Sequence, residues 1–489
     1  MYQMKNSISL KQTITPYLEK RMLGIFVLGI MQGFPWVLIG SSLSLWLREE
    51  GLSRSAIGLF GLVFAVYSIN FLWAPLLDRI RIPWLSSFAG QRRAWVLVMQ
   101  AIIFLAMIVM FTLDPQVNLW MIACCALVIA TSSATQDIAL DALRIDIIGN
   151  NESDKMAAAA ALMVAGWWTA FKLGGAISLY LASFYQNVLN IENYWPLVYL
   201  SLTSIVLIAN VAMMRFITSP DDSEKIKAQK AYDAKYESAI SSLGVPSSVI
   251  SRAVAWILGA VISPLWSFFR RNGVGVALAI LGFILLFKMG EAFLGRMAIL
   301  FYPDIGFTKE EIATYSKTLG WVATIVFSIV GGLINIRFGL IPAVFISGIA
   351  MAATNLLFAL MAIVGPNTGL FAVAIIADDF TGAVSTVTFV AFISQLCDKT
   401  FSATQYALMA SIASFGRNTL ASFSGIVVDK LEAMVMTFGF SIAGISDQNS
   451  AWALFFLLTT LMVIPSLVLL WLISDKLQAA FDSAKTRVL

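Results

Sequence analysis

Histidine does not occur in this chain of 489 residues, and cysteine occurs only three times. Without imidazole, any proton handled near neutral pH must be carried by carboxylates. With no cluster of metal-ligating residues either, a water-activating site is hard to assemble, so hydrolysis is not expected, nor any metal or cofactor. Cys124, Cys125 and Cys397 lie in or at the end of apolar runs. They read as small buried hydrophobes rather than as a disulfide or metal set. Charge is scarce too: 12% of residues are Asp, Glu, Lys or Arg, against 59% hydrophobic and a mean hydropathy of +0.84. No soluble domain has that balance.

What is present is apolar length. A hydrocarbon core about 30 Å thick takes about 20 apolar residues per helix. Twelve such runs can be placed, at 22–46, 55–77, 94–113, 119–147, 157–185, 194–216, 274–302, 311–335, 341–363, 369–396, 403–428 and 450–473. The expected fold class is all-α integral membrane, with twelve transmembrane helices. The runs divide six and six, which predicts a tail at 1–21, one half at 22–217, a linker at 218–272, a second half at 273–474 and a tail at 475–489. Within the linker, 218–248 reads as solvated, and Ser251 to Phe269 as an amphipathic helix lying on the membrane face. Residues 1–20 are polar and the first run is too long for a signal h-region, so no cleavable signal peptide is expected.

Charge placement sets the expected orientation. Lys5, Lys11, Lys20, Arg21, Arg79, Arg81, Arg92, Arg93, Arg144 and Lys155 fall on one side, together with the basic linker. The other side has only Arg48, Arg54, Arg296, Lys309 and Lys430. By the positive-inside rule both termini are expected in the cytoplasm. The net charge of +4 reflects this asymmetry and gives no reason to expect nucleic acid as a partner.

Each half repeats a polar punctuation after its second run. The first copy is Ala74-Pro75-Leu76-Leu77-Asp78-Arg79 followed by Gly90-Gln91-Arg92-Arg93, and the second is Gly331-Gly332-Leu333-Ile334-Asn335-Ile336-Arg337-Phe338-Gly339. The pair resembles the helix 2–3 loop signature of the major facilitator superfamily. In that superfamily two six-helix halves enclose a substrate site midway through the bilayer.

Ionisable groups within membrane helices are costly and by default mark a substrate or proton path. Asp137 and Asp141 are four residues apart on one helix face, with Arg144 one turn further on. Asp137 is the first candidate for proton coupling. Asp141 is either a second coupling carboxylate or part of a cytoplasmic gate, in which Asp78, Arg79, Arg144 and Asp146 act with Arg92 or Arg93. Lys288 and Glu291 are three apart in the middle of the seventh run. They read as functional charges, with a neutralising internal ion pair as the alternative. Asp378 and Asp379 are adjacent, so they point about 100° apart and at least one is expected to face the centre. Lys172, Lys288, Lys317 and Arg417 are four intramembrane cations that fit a substrate with anionic groups, unless they merely pair with Asp137, Glu291, Asp378 and Asp379. Trp167 and Trp168, with Phe34 and Trp36, supply flat faces on which sugar rings stack. Gln32, Gln136 and Asn355 supply carboxamides for hydroxyls and amides.

Several of these segments coincide with motifs of one family. Gln136-Asp137-Ile138 with Asp141, Lys288-Met289-Gly290-Glu291-Ala292-Phe293, Lys317-Thr318-Leu319-Gly320 and Phe401-Ser402-Ala403-Thr404-Gln405-Tyr406-Ala407-Leu408 with Gly416-Arg417 resemble the AmpG muropeptide permeases. The resemblance implies a proton-coupled importer of N-acetylglucosaminyl-1,6-anhydro-N-acetylmuramyl peptides in the inner membrane of a Gram-negative bacterium. It further implies alternating access, a monomer, and a link to wall recycling and β-lactamase induction. The chain departs from the family where Trp167 and Trp168 replace a common Tyr-Arg pair, and where Asp378 and Asp379 replace Glu-Asn. It also stops at Leu489, where some members continue with further helices. Two other readings stay open: an acetyl-CoA or other anionic-solute carrier sharing the Gln-Asp-Ile-x-x-Asp run, and a non-transporting membrane sensor of wall stress.

Overall fold

The computed structural model describes residues 14–52, 60–148, 152–219, 223–242, 262–307, 311, 319–439, 442 and 445–486. Among them every regular element is helical. We label the spans α1 to α12 in chain order. α1 joins Lys20–Trp36, a π-helical turn Val37–Ser42 and Leu43–Glu49. α2 is assembled from Gly61–Ala65, Val66–Ile69, Asn70–Leu72 and Ala74–Arg79. α3 is Gln91–Phe111, α4 Pro115–Ile147, α5 Ser153–Asn187 and α6 Trp195–Phe216. α7 breaks into Val274–Leu286 and Met289–Asp304; α8 is Leu319–Phe338, α9 Leu340–Val364 and α10 Thr368–Leu396. α11 joins Ser402–Ser414, a π-helical turn Phe415–Thr419, Leu420–Phe423 and Ser424–Phe438, and α12 joins Asp447–Leu461 and Ile464–Thr486.

Nine of the described helices are long and apolar enough to cross a bilayer, and Leu62–Leu72 and Ala323–Phe338 are shorter apolar stretches of α2 and α8. α11 completes the set of twelve, its continuity interrupted by the π-helical turn. Such turns concentrate at functional sites because they widen the helix and re-aim its side chains. Here one carries Arg417, another follows Pro35 in α1, and the break in α7 falls at Lys288.

Close helix contacts fix the register around these positions. A methyl group built on Gly33 would lie 2.3 Å from the Trp167 carbonyl oxygen, so α1 and α5 touch backbone to backbone beside Trp167. A methyl on Gly416 would lie 2.4 Å from the Leu285 carbonyl oxygen, which locks α11 against α7 between Arg417 and Lys288. Small residues let membrane helices approach this closely.

Among the described residues the two halves share a large buried core at one end, and a smaller contact of α5 with α10 (Ala160, Ala161 and Val164 against Val387 and Ala391) extends it inward. At the end bearing Arg92 and Arg144, buried apolar side chains of both halves form one cluster, including Met22, Ile145 and Met213 from the first and Phe283, Ile336 and Phe392 from the second. At the opposite end each half keeps its own cluster, built around Trp46 and Tyr199 in one and Phe301 and Trp452 in the other.

The linker differs from the sequence expectation. Ser223–Ser242 is helical, and it is packed on the bundle rather than wholly solvated. Gln229 is buried in it and bonds the carbonyl oxygens of Asp78 (3.0 Å) and Thr400 (3.2 Å), and Tyr232 packs on Phe401. The closed end of the bundle supplies the surface on which this polar helix is stable. Of the segment expected to be amphipathic, residues up to 261 lie outside the description. Residues 262–272 form a helix with Phe268 buried and Trp266 exposed.

Candidate functional site

Charged and polar groups gather at two levels. The first is the basic end, where the halves join. Asp78 at the end of α2 and Asp146 near the end of α4 flank the Arg92 guanidinium of α3 at 2.5 and 3.1 Å. All three are essentially enclosed, and each is satisfied by the other half. Ser402 accepts from Arg92 (3.1 Å) and donates to Asp146 (2.8 Å). The Thr404 amide and hydroxyl donate to Asp78 at 2.8 and 2.6 Å. Arg144, fully buried, bonds Asp141 (3.1 Å) within α4 and Ser394 (2.9 Å) of α10, and lies over the Tyr406 ring. Lys225 of the linker helix adds a further cation, 3.6 Å from Asp78 and 3.5 Å from Asp146. Nearer the chain start, Tyr17 donates to the Ile329 carbonyl oxygen of α8. Glu19 pairs with Arg21 and Lys155. Burial alone would raise the Glu19 carboxyl, but these two cations outweigh it and hold it below the usual carboxylate range.

The second level lies midway along the helices. In the first half, Gln32 of α1 donates to Asp141 at 3.0 Å, and Asp137 sits one turn away, half-buried. Tyr67 of α2 stands beside Ser133 and Asp137. Trp36 stacks on Phe64 at 4.5 Å and also meets Tyr67 and Trp167, while Lys172 lies over the Trp168 ring. Trp36 Nε1, the Tyr67 hydroxyl, Ser133 Oγ and Asp137 Oδ1 are enclosed with no hydrogen-bond partner among the described residues.

In the second half, Lys288 sits where α7 breaks. It donates to Glu291, Ser385 (2.7 Å) and Thr386 (3.0 Å). Arg417 of α11 lies within electrostatic reach of Lys288 and Glu291, as Asp378 does. Asp379 feels Lys172 of the first half. Asp137, Glu291, Asp378, Asp379, Gln32, Trp167, Trp168, Lys172, Lys288 and Arg417 thus lie away from the ends of their helices, and Asp141 links this level to the basic end through Gln32 and Arg144.

Three sequence expectations are modified. Gln136 is fully enclosed, accepting from Gln100 and donating to the Met31 carbonyl oxygen, so it ties α1, α3 and α4 together instead of facing a substrate. One step of about 100° along the helix separates its direction from that of Asp137. Asn355 is likewise fully buried and bonds Thr459, because α9 packs between α10 and α12 away from the centre. Arg93 turns to the carbonyl oxygens of Ala89 and Ile217 rather than to the acidic pair. Arg79 follows Asp78 at the same end, half-buried. Lys317 lies outside the described residues.

Sequence reasoning passed over Phe64, Tyr67, Ser133, Ser385 and Thr386, which look like ordinary membrane-helix residues until the neighbouring helix is in place. Ser402 and Thr404 lay inside the most family-specific motif, and that was an available signal.

The profile of the Major Facilitator Superfamily matches residues 25–419. A Rickettsia felis protein named as a transporter, AmpG 4, is 31% identical over 458 residues, covering 94% of this chain and 97% of that protein. The anhydromuropeptide permease of Escherichia coli K12 is 28% identical over 460 residues, covering 94% of this chain and 81% of its own length. Among solved structures, the proton:xylose symporter XylE aligns over 91% of this chain and 95% of its own with a TM-score of 0.59 at 12% identity. FucP, in the outward conformation, aligns over 92% and 98% with a TM-score of 0.57 at 16% identity. At those identities the likeness establishes the fold alone. Extent of match and identity to the curated relatives together place this chain in the Major Facilitator Superfamily as a multi-pass membrane transporter rather than an enzyme, and within it the chain belongs to the AmpG family of permeases.

Proposed function

We propose that this protein imports anhydro-muropeptides across a bacterial inner membrane together with protons, as a monomer, by alternating access. The basic end is cytoplasmic on this reading, as the positive-inside rule requires, and the structure is the outward-facing state. The observation that carries it is the convergence of ionisable groups from both halves at mid-depth, between ends that are joined on one side and separate on the other. The Asp78–Arg92–Asp146 cluster with Ser402 and Thr404 is the inner gate, and it must part before substrate leaves inward. Asp137 is the first candidate for the coupled proton: it is half-buried, one of its oxygens has no partner among the described residues, and no histidine competes for the task. Asp141 is already held by Arg144 and Gln32 and belongs to the gate as much as to coupling. The aromatic wall of Trp36, Trp167 and Trp168 suits sugar faces. A disaccharide peptide uses both walls, whereas an acyl-CoA has no pyranose pair for the aromatic one. Competition decides between them: in proteoliposomes carrying the purified protein, unlabelled anhydro-disaccharide should block uptake of labelled muropeptide, and acetyl-CoA should not. Inhibition by acetyl-CoA alone would reverse the assignment.

A further inference from the structure

Charges inside a membrane are costly unless they are paired, and among the described residues of the second half the pairing is incomplete. Lys288 is satisfied by Glu291, Ser385 and Thr386. Arg417 is not. It is exposed, and it forms no ion pair or hydrogen bond among the described residues, while Glu291, its electrostatic neighbour, is already engaged by Lys288. On the acidic side, Asp378 Oδ1 and Asp379 Oδ2 are enclosed without a hydrogen-bond partner among the described residues. An arginine kept only to neutralise Asp378 or Asp379 would sit in contact with one of them, and it does not. Among the described residues the wall therefore offers an unpartnered guanidinium and unpartnered carboxylate oxygens, with the Lys288–Glu291 pair within electrostatic reach of both Arg417 and Asp378.

The charge balance also counts against a purely anionic ligand. Among the described residues this wall has Lys288 and Arg417 against Glu291, Asp378 and Asp379. The complementary ligand carries both signs a short distance apart. The geometry points to a zwitterion subsite on α7, α10 and α11, in which Arg417 takes a carboxylate and Asp378 with Asp379 takes an ammonium group of the same ligand. Resting on the function proposed above, the occupant is the peptide end of the muropeptide, recognised by a residue that bears a free amine and a free carboxylate. Arginine suits the first contact because its planar fork meets both carboxylate oxygens.

The test uses the full-length protein in lipid nanodiscs and four ligands. They are an intact muropeptide with one free amine, the same molecule with that amine acetylated, the same molecule with its terminal carboxylate amidated, and the disaccharide without peptide. Each cap should weaken binding to the unmodified protein about tenfold, since charge-assisted hydrogen bonds are the strong ones. Asp378→Asn with Asp379→Asn should erase the penalty of acetylation and keep that of amidation. Arg417→Gln should do the reverse. Disaccharide binding, unchanged in every variant, shows that each is folded. Capped ligands that bind as tightly as the intact one, or penalties that no variant alters, overturn the subsite while disaccharide binding preserves the proposed function. Failure of the unmodified protein to bind either muropeptide or disaccharide overturns both.

Discussion

Asp78 and Thr404 stand 326 positions apart in the chain, and one carboxylate oxygen of Asp78 accepts both the Thr404 amide, at 2.8 Å, and its hydroxyl, at 2.6 Å. The first residue ends α2 and the second begins α11, so this contact welds one half of the transporter to the other. Because Asp78 also holds Arg92, the weld is coupled to the charge cluster behind it.

Loosening the weld should move the conformational equilibrium without unfolding the protein. Thr404→Val removes one neutral-to-charged hydrogen bond, worth about 1.5–3 kcal/mol, and leaves the backbone contact. We expect a larger inward-open population, read as faster labelling of a cysteine placed at Ser394 by a reagent added from the basic side. Labelling at the unmodified rate would show that the contact does not gate.

Asp78→Ala is a harsher change. Breaking a buried ion pair by removing one partner costs about 3–5 kcal/mol. Asp146 still faces Arg92 at 3.1 Å, so the loss should fall toward the low end of that range. The melting temperature in detergent should drop, and removing Asp146 in the same chain should lower it further.

Asp137→Asn keeps shape and removes the titrating group. Gradient-driven accumulation should be abolished while binding of disaccharide persists within a few-fold. Gln136→Glu, one position away, should instead destabilise the fold, because it places a carboxylate at a fully enclosed tie between three helices. Equal effects of the two substitutions on transport and stability would remove the distinction drawn between them.

Gly416→Val tests the register of α11. With a Cβ only 2.4 Å from the Leu285 carbonyl oxygen, the helices must separate. Overpacking of this kind costs about 1–3 kcal/mol and should displace Arg417, so muropeptide affinity and melting temperature should fall together.

Glu19 is a small and readable case. Its depressed carboxyl contributes stability that is fully present above the ordinary carboxylate value and is lost as pH falls through the lower folded value. The group is about one-third exposed, so Glu19→Gln should cost no more than about 1 kcal/mol, and less at high salt. A cost of several kcal/mol would mean that the tail is held in some other way.

Much of this architecture was legible in the sequence because hydrocarbon imposes length and polarity so strictly. The apolar runs follow directly, and so do the helical neighbours Asp141–Arg144 and Lys288–Glu291, since residues three apart on a helix share a face. The pairing of Asp146 with Arg92 was among the contacts expected. What stayed hidden depends on the second helix of each contact. Gln136 and Asp137 differ only in direction, and nothing along the chain says which way leads to Gln100 and which to the centre. Asn355 has the composition of a binding residue and the position of a packing one. The linker helix reads as solvent-exposed because its own composition is polar; only the closed end of the bundle gives Gln229 and Tyr232 partners.

Proton-driven transport of a defined solute is the property that everything above depends on. The direct measurement loads proteoliposomes with buffer, adds labelled anhydro-muropeptide outside, and imposes an inward proton gradient. Accumulation above the external concentration, collapsing on addition of a protonophore and absent with Asp137→Asn, is the predicted result. Uptake that only equilibrates, at the same rate with and without the gradient, would contradict it.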